Sequence, residues 1–357
     1  MRQVLSMHQV RHFYFSRFGF NRFCFLDLAA WWRVLAVAAV AALVATPAAA
    51  AESASLEELI TAVVKIKTHI DPEGATIRGL GRDREGTGIL IDADGLVLTI
   101  GYLMVEAYAA EIITNDGRTL PASIVGYDHE SGFGLLRAIE PLKIKPLGLG
   151  RSADVKERDV AVVATGGGAN NVLAVKVVAK REFAGDWEYM LDDALFTAPP
   201  HPTWSGAALI NRDGKLVGVG SLIVGDTSGK KDNVPGNMFV PIDRLPPILG
   251  DLLADGRPAG PGRPWLGVNT DESRGQLTVS RVTPGGPAEK AGVQRGDVIV
   301  SVNGETPAGL ADFYRKLWSQ GRAGAVVKLD VLHQHSMRTF EIKSVNRLDV
   351  LKLKSTF

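Results

Sequence analysis

The sequence predicts a mostly β protein in two modules joined by a short linker, and three observations predict it. Short apolar runs rich in Val, Ile and Leu recur along the chain, among them "GTGILIDADGLVLT", "AEIITNDGRTLPASIVGYD" and "GAALINRDGKLVGVGSLIV". Asp-Gly or Gly-rich turns separate many of them, which is the spacing of an all-β barrel or sandwich and not of alternating strands and long helices. The stretch "RPAGPGRP" (residues 257–264) then has the Pro and Gly content of a linker, and a second set of short strands follows it.

In the first module, "LEELITAVVKIK" from Leu56 reads as a short helical pattern running into strands. "GFGLLRAI", "DVAVVAT", "VLAVKVVAKREF", "LFTA" and "NMFVPI" add further strands, and "PIDRLPPILGDLLADG" closes the module as a helix. In the second, from Trp265, the strands are "WLGVNT", "QLTVSRV", "DVIVSVNG" and "VVKLDVLHQ". One amphipathic helix is expected at "GLADFYRKLWSQ", where Leu310, Phe313, Tyr314 and Leu317 stand at helical spacing. No internal repeat is visible.

Residues 1–51 differ in kind. Arg2, Arg11, Arg17, Arg22 and Arg33 precede the apolar run "VLAVAAVAALVA" and the small-residue stretch "TPAAAAES", the order of a secretory signal. The segment is expected either to be cleaved or to stay as an N-terminal inner-membrane anchor; both place the remainder outside the cytoplasm, in the periplasm or otherwise exported. The one cysteine, Cys24, lies within it, so the mature chain has no disulfide or thiol chemistry. The expected organisation is therefore residues 1–51 signal or anchor, 52–256 first domain, 257–264 linker, 265–345 second domain and 346–357 a tail.

With 40 basic residues against 39 acidic ones, the formal charge of +1 gives no electrostatic footprint for nucleic acid. "HQH" (His333, His335) puts two imidazoles on one strand face, but no third ligand stands nearby, so no metal and no cofactor is expected.

The stretch "TAPPHPTWSGAALINRDGKLVGVGS" places Ser205 on a Trp-Ser-Gly corner, as in a serine hydrolase. Together with "GTGILIDADGLVLT", "DGRTLPASIVGYD", "NMFVPIDRLPPILGDLL" and "VTPGGPAEKAGVQRGDVIVSVNGE", in that order along residues 56–343, it resembles the HtrA/DegP-type serine proteases. The resemblance implies a trypsin-like double β-barrel followed by a PDZ domain. It also implies where a catalytic triad would sit. The family's histidine position falls on Tyr102 in "LTIGYLMVEA", its aspartate position on Gly132 in "SGFGLLR", and its serine position on Ser205 in "TWSGAAL". The oxyanion-site glycine falls on Thr203, between Pro202 and Trp204.

A serine hydroxyl needs a positioned base with a pKa near the working pH, and that base needs an acid to orient it. A tyrosine, with an ordinary pKa of about 10, is a poor base at neutral pH, and a glycine has no side chain. His201, four residues before Ser205, is the candidate substitute base, although Pro200 and Pro202 restrict its backbone. "ATGGGANN" (residues 164–171) stands where a loop shapes the specificity site, and its three glycines suggest a flexible hairpin loop.

The PDZ-like module retains its chemistry. Such domains take a peptide as an added strand and receive its terminal carboxylate on the N–H groups of a tight loop. By resemblance Leu266, Gly267 and Val268 form that loop, with Phe313 and Leu317 on the helix as groove lining. The expected function is accordingly a proteolytically inactive, exported homologue that binds unfolded proteins or C-terminal tails as an adaptor, chaperone-like holder or regulator. The alternatives are an active serine endopeptidase using Ser205 and a non-standard base, or a structural subunit of an envelope complex. Family resemblance implies a homo-oligomer, a trimer, associating near "LEELITAVV"; membrane contact would come only through a retained N-terminal segment.

Overall fold

The computed structural model describes residues 55–353; the expected signal or anchor, with Cys24, lies outside the described residues. Among those described, no helix is long and apolar enough to cross a membrane.

Helix α1 (Leu56–Thr61) is short, capped by the Ser55 side chain accepting from the Glu58 N–H at 3.2 Å. The helical expectation for "LEELITAVVKIK" holds only for its first half. The β-branched run after Ala62 becomes strand β1 (Val63–Ile70), in which Val64, Ile66, Thr68 and Ile70 face inward and alternate with less buried residues. β2 (Asp83–Leu90) is reached through the one-turn helix α2 (Ile77–Leu80). β3 (Leu96–Ile100), β4 (Ala107–Ile113), β5 (Thr119–Tyr127) and β6 (Phe133–Ala138) complete a closed antiparallel barrel in the order β1-β2-β3-β6-β5-β4.

A second barrel follows from β7 (Val160–Ala164), β8 (Val172–Gly185), β9 (Tyr189–Ala198), β10 (Ala208–Ile210), β11 (Leu216–Val224) and β12 (Gly236–Pro241). Its order, β7-β8-β9-β12-β11-β10, is that of the first with every index raised by six. The chain is thus a topological duplication that the sequence does not display as a repeat. Closure leaves neither barrel with a free edge to pair with another chain.

Helix α3 (Pro246–Asp255) begins with Pro at its first turn and ends on Gly256 at φ +69°, whose N–H returns to the Leu252 carbonyl. Beyond the linker, β13 (Val268–Ser273), β14 (Gln276–Val282), β15 (Val298–Val302), β16 (Val326–His333) and β17 (Ser336–Lys343) form one five-stranded antiparallel sheet in sequential order. Two helices pack with it where the sequence suggested one. The additional one, α4 (Pro287–Ala291), is a Pro-started, Gly292-capped turn too short to show a periodicity. The expected amphipathic helix is α5 (Leu310–Trp318). Of the two histidines in "HQH", His333 is buried and its Nδ1 pairs with buried Asp297 at 2.7 Å.

The described part of the tail, residues 346–353, lies against the first barrel. Leu348, Leu351 and Leu353 pack on the barrel core, and the Lys352 N–H donates to Glu106 Oε1 at 3.1 Å.

Candidate functional site: a serine without an imidazole and a filled carboxylate cradle

Ser205 lies in the β9–β10 connection, and the loop is tied across to the first barrel. The Ser205 carbonyl accepts from the Thr87 N–H of β2 at 2.9 Å. Gly206, at φ +77°, leaves no room for a side chain, since a Cβ there would fall 2.0 Å from the Thr87 carbonyl oxygen. The first barrel contributes Tyr102 from the turn Gly101–Leu103 directly after β3. Its hydroxyl lies 2.8 Å from Ser205 Oγ and 2.8 Å from the Ser221 carbonyl oxygen, and it also bonds the Trp204 side chain. Burial pushes the phenol up to about 12, against the pull of its bonds to Ser205 and Trp204. At neutral pH it keeps its proton, and it cannot take one from the serine.

Gly132 sits beneath this turn, with its carbonyl accepting from the Gly101 N–H at 2.7 Å. Its φ is +82°, a conformation L side chains rarely adopt, and an added Cβ would stand 3.1 Å from Tyr189 Oη.

The side-chain hydrogen bonds of His201 go to Thr203 and Asn171 and not to Ser205. Its Nδ1 accepts from the Thr203 N–H at 3.2 Å and lies 3.1 Å from Thr203 Oγ1, and it also hydrogen-bonds the Asn171 backbone. Burial lowers its pKa. The Thr203 N–H, which a developing negative oxygen would need, is given to an imidazole nitrogen.

The glycine loop at 164–171 is also pinned, not loose. Gly167 N–H donates to Asn115 Oδ1 at 3.0 Å, Asn171 Nδ2 to the Gly166 carbonyl at 3.2 Å, and Thr165 Oγ1 lies 3.2 Å from Thr203 Oγ1.

The PDZ-like loop holds the second constellation. Gly267, at φ +83°, lets three successive N–H groups turn to one side. All three meet the carboxylate of Glu188, from the β8–β9 turn of the second barrel: Leu266 N–H to Oε2 at 2.9 Å, Gly267 N–H to Oε1 at 2.6 Å and Val268 N–H to Oε1 at 2.9 Å. Glu188 is only 3% exposed. Phe313 and Leu317, expected as groove lining, are wholly buried in a cluster that also takes Met190 of β9, so neither forms an open wall. The helix residue that reaches the turn is Tyr314, whose hydroxyl donates to the Gly185 carbonyl at 2.6 Å and accepts from the Glu188 N–H at 3.1 Å.

Comparison with known proteins gives a trypsin-like peptidase domain over residues 86–219 and a PDZ domain over residues 264–344. Serine protease PepD of Mycobacterium tuberculosis is 27% identical over 79% of this chain and 64% of its own length. Protease Do-like 1, chloroplastic, of Arabidopsis thaliana is 30% identical over 69% of this chain and 60% of its own. A DegP-like protein of Pseudomonas fluorescens, described as a probable periplasmic serine endoprotease, is 28% identical over 76% and 59%. The chain belongs to the HtrA-type family of trypsin-like peptidases. It spans about three fifths of the length of these curated relatives. A solved HtrA-type protease, AlgW with decapeptide, aligns at 20% identity and TM-score 0.48 over 82% of this chain and 99% of that one.

Within this HtrA-type chain, sequence reasoning located Ser205, Tyr102, Gly132 and the cradle residues through their motifs, but it missed Glu188, Tyr314 and Arg347. The Arg347 guanidinium donates to the Trp187 carbonyl at 2.8 Å, beside Glu188. No motif marks a glutamate in a hairpin turn as the occupant of a distant loop.

Proposed function

We propose that this chain is a proteolytically inactive HtrA-type homologue of an exported compartment that captures peptides or unfolded segments through its PDZ-like domain. The observation that carries the reading is the neighbour of Ser205: a partly buried phenol at 2.8 Å, held near pKa 12, in place of an imidazole. Gly132 supplies no acid, and the Thr203 N–H is engaged by His201. Removing triad members costs roughly 10⁴ to 10⁶ in turnover in well-studied serine proteases. The names of the relatives favour the other reading, an active serine endopeptidase, and Ser205 is retained.

The two readings part in one experiment. The purified chain is expected to leave unfolded casein intact and Ser205 unlabelled by a fluorophosphonate probe. Casein cleavage that vanishes in Ser205→Ala would overturn the inactive reading. Association as a homo-oligomer through the segment around α1 follows from the family resemblance alone, and light scattering on the intact chain reads it.

A further inference from the structure

The carboxylate cradle belongs to a longer pattern of contacts along residues 182–188. A peptide added to a PDZ groove runs beside the first strand, exchanges main-chain hydrogen bonds with it, and ends with its carboxylate in the loop. The end of β8 and the turn after it reproduce two of these features, a main-chain hydrogen bond to β13 and a carboxylate in the loop. Glu182 pairs with Arg315 on α5. The Gly185 carbonyl accepts from Tyr314 Oη at 2.6 Å, the Asp186 carbonyl accepts from the Thr270 N–H of β13 at 2.8 Å, and Asn269 Nδ2 donates to Asp186 Oδ2 at 3.2 Å. Glu188 then delivers its carboxylate to Leu266, Gly267 and Val268. Ala184 and Met190, on either side of the turn, pack against the PDZ core. Arg347 caps the turn from the tail side through the Trp187 carbonyl.

We propose that residues 182–188 are an internal ligand of the PDZ-like groove, with the Glu188 side chain standing in for a peptide's terminal carboxylate, so that a peptide with a free C-terminal carboxylate enters only by displacing this turn. The inference deepens the peptide-binding role proposed above and rests on it for the displacement step. The chemistry of the competing ligand follows from the mimic: an extended segment ending in a carboxylate. An amidated terminus replaces one acceptor oxygen with an NH2 donor that faces the cradle N–H groups, and does not compete.

The test uses the intact chain and a decapeptide pool randomised at its last four positions, in free-acid and in C-terminally amidated form, with captured peptide measured by mass spectrometry. Amide hydrogen exchange at Leu266, Gly267, Val268 and Thr270 is followed alongside. In the wild-type chain these amides exchange slowly, and Glu188→Ala speeds them. The variant captures at least about tenfold more free-acid peptide than wild type, the factor expected for removing a competing hydrogen-bonded carboxyl group, and neither chain captures the amidated pool. Tyr314→Phe, which leaves the cradle and the carboxylate in place, shifts both readouts in the same direction by less, and it keeps the test alive should Glu188→Ala fail to fold. Fast exchange at the cradle amides in the wild-type chain, or equal peptide capture by wild type and both variants, overturns the proposal. Faster exchange in the variants with no capture of either pool upholds the internal docking and removes the peptide-reading role instead.

Discussion

Tyr102 shows how much chemistry turns on one side chain. Its hydroxyl faces Ser205 Oγ and the Ser221 carbonyl, each at 2.8 Å. A phenol has one proton, and a carbonyl oxygen can only accept, so the proton goes to Ser221 and the serine hydroxyl is left to donate to the tyrosine. Tyr102, Ser205 and the Ser221 carbonyl thus form a hydrogen-bond network. Tyr102→Phe should therefore destabilise the fold by about 1–3 kcal/mol, the cost of leaving a buried acceptor unpaired, measurable by urea denaturation; an unchanged midpoint would mean that water replaces the hydroxyl freely. Rebuilding a triad meets a second obstacle at Gly132. At φ +82°, with Tyr189 Oη 3.1 Å from the would-be Cβ, Gly132→Asp introduces left-handed strain of about 1–2 kcal/mol. Tyr102→His with Gly132→Asp should consequently melt lower than wild type and remain without casein cleavage. These positions were legible because each sits inside a motif whose register the flanking strands hold. Their partners were not, since hydrogen bonds across more than a hundred residues leave no local pattern.

The β8–β9 hairpin is the element whose role was least legible. "VLAVKVVAKREF" reads correctly as a strand from its β-branched content, yet nothing in it says that the strand ends inside another domain. The barrels, in contrast, were readable as short strands and glycine turns, although their shared order was not, because topology can repeat where sequence does not. The hairpin also carries a pH dependence. Burial pushes Glu188 up to about 7 from an ordinary 4.5, outweighing the three cradle N–H groups and Arg347. The docked turn thus binds a proton more readily than the free turn does. Docking is strongest below about pH 4.5 and weakens as pH rises through 7. Among the groups facing the turn, burial and Arg347 hold His129 neutral, and burial pushes the Tyr314 phenol up. Free-acid peptide should accordingly bind the intact chain more tightly at pH 8 than at pH 5, and Glu188→Gln should flatten that profile. The same slope in Glu188→Gln would assign the titration to another group.

On the scale of the whole molecule, the PDZ-like domain is held to the barrels at three places: the linker, the hairpin in the groove, and the tail that returns beneath it. In the tail, Arg347 Nη1 bonds His129 Nε2 at 2.9 Å as well as the Trp187 carbonyl. Asp349 pairs with Arg257 of the linker at 2.9 Å, and Lys352 donates to Glu106 of the first barrel. The linker's other arginine, Arg263, pairs with Glu130 at 3.0 Å and lies over the Trp318 ring at 4.4 Å. Exposed ion pairs of this kind contribute little singly. The tail's larger contribution is the apolar packing of Leu348, Leu351 and Leu353 on the barrel core. Stopping the chain at Asn346 removes that packing together with the Arg347 contacts to the turn, while leaving the PDZ sheet, which ends at Lys343, whole. Small-angle scattering should then show a larger radius of gyration than for the full chain, because loss of the tail leaves the hairpin alone to hold the groove closed. Glu188→Ala in the shortened chain should add less to peptide capture than it does in the full chain, since both changes act on the same turn and such neighbours are not additive. A radius unchanged by truncation would assign the closed arrangement to the hairpin alone.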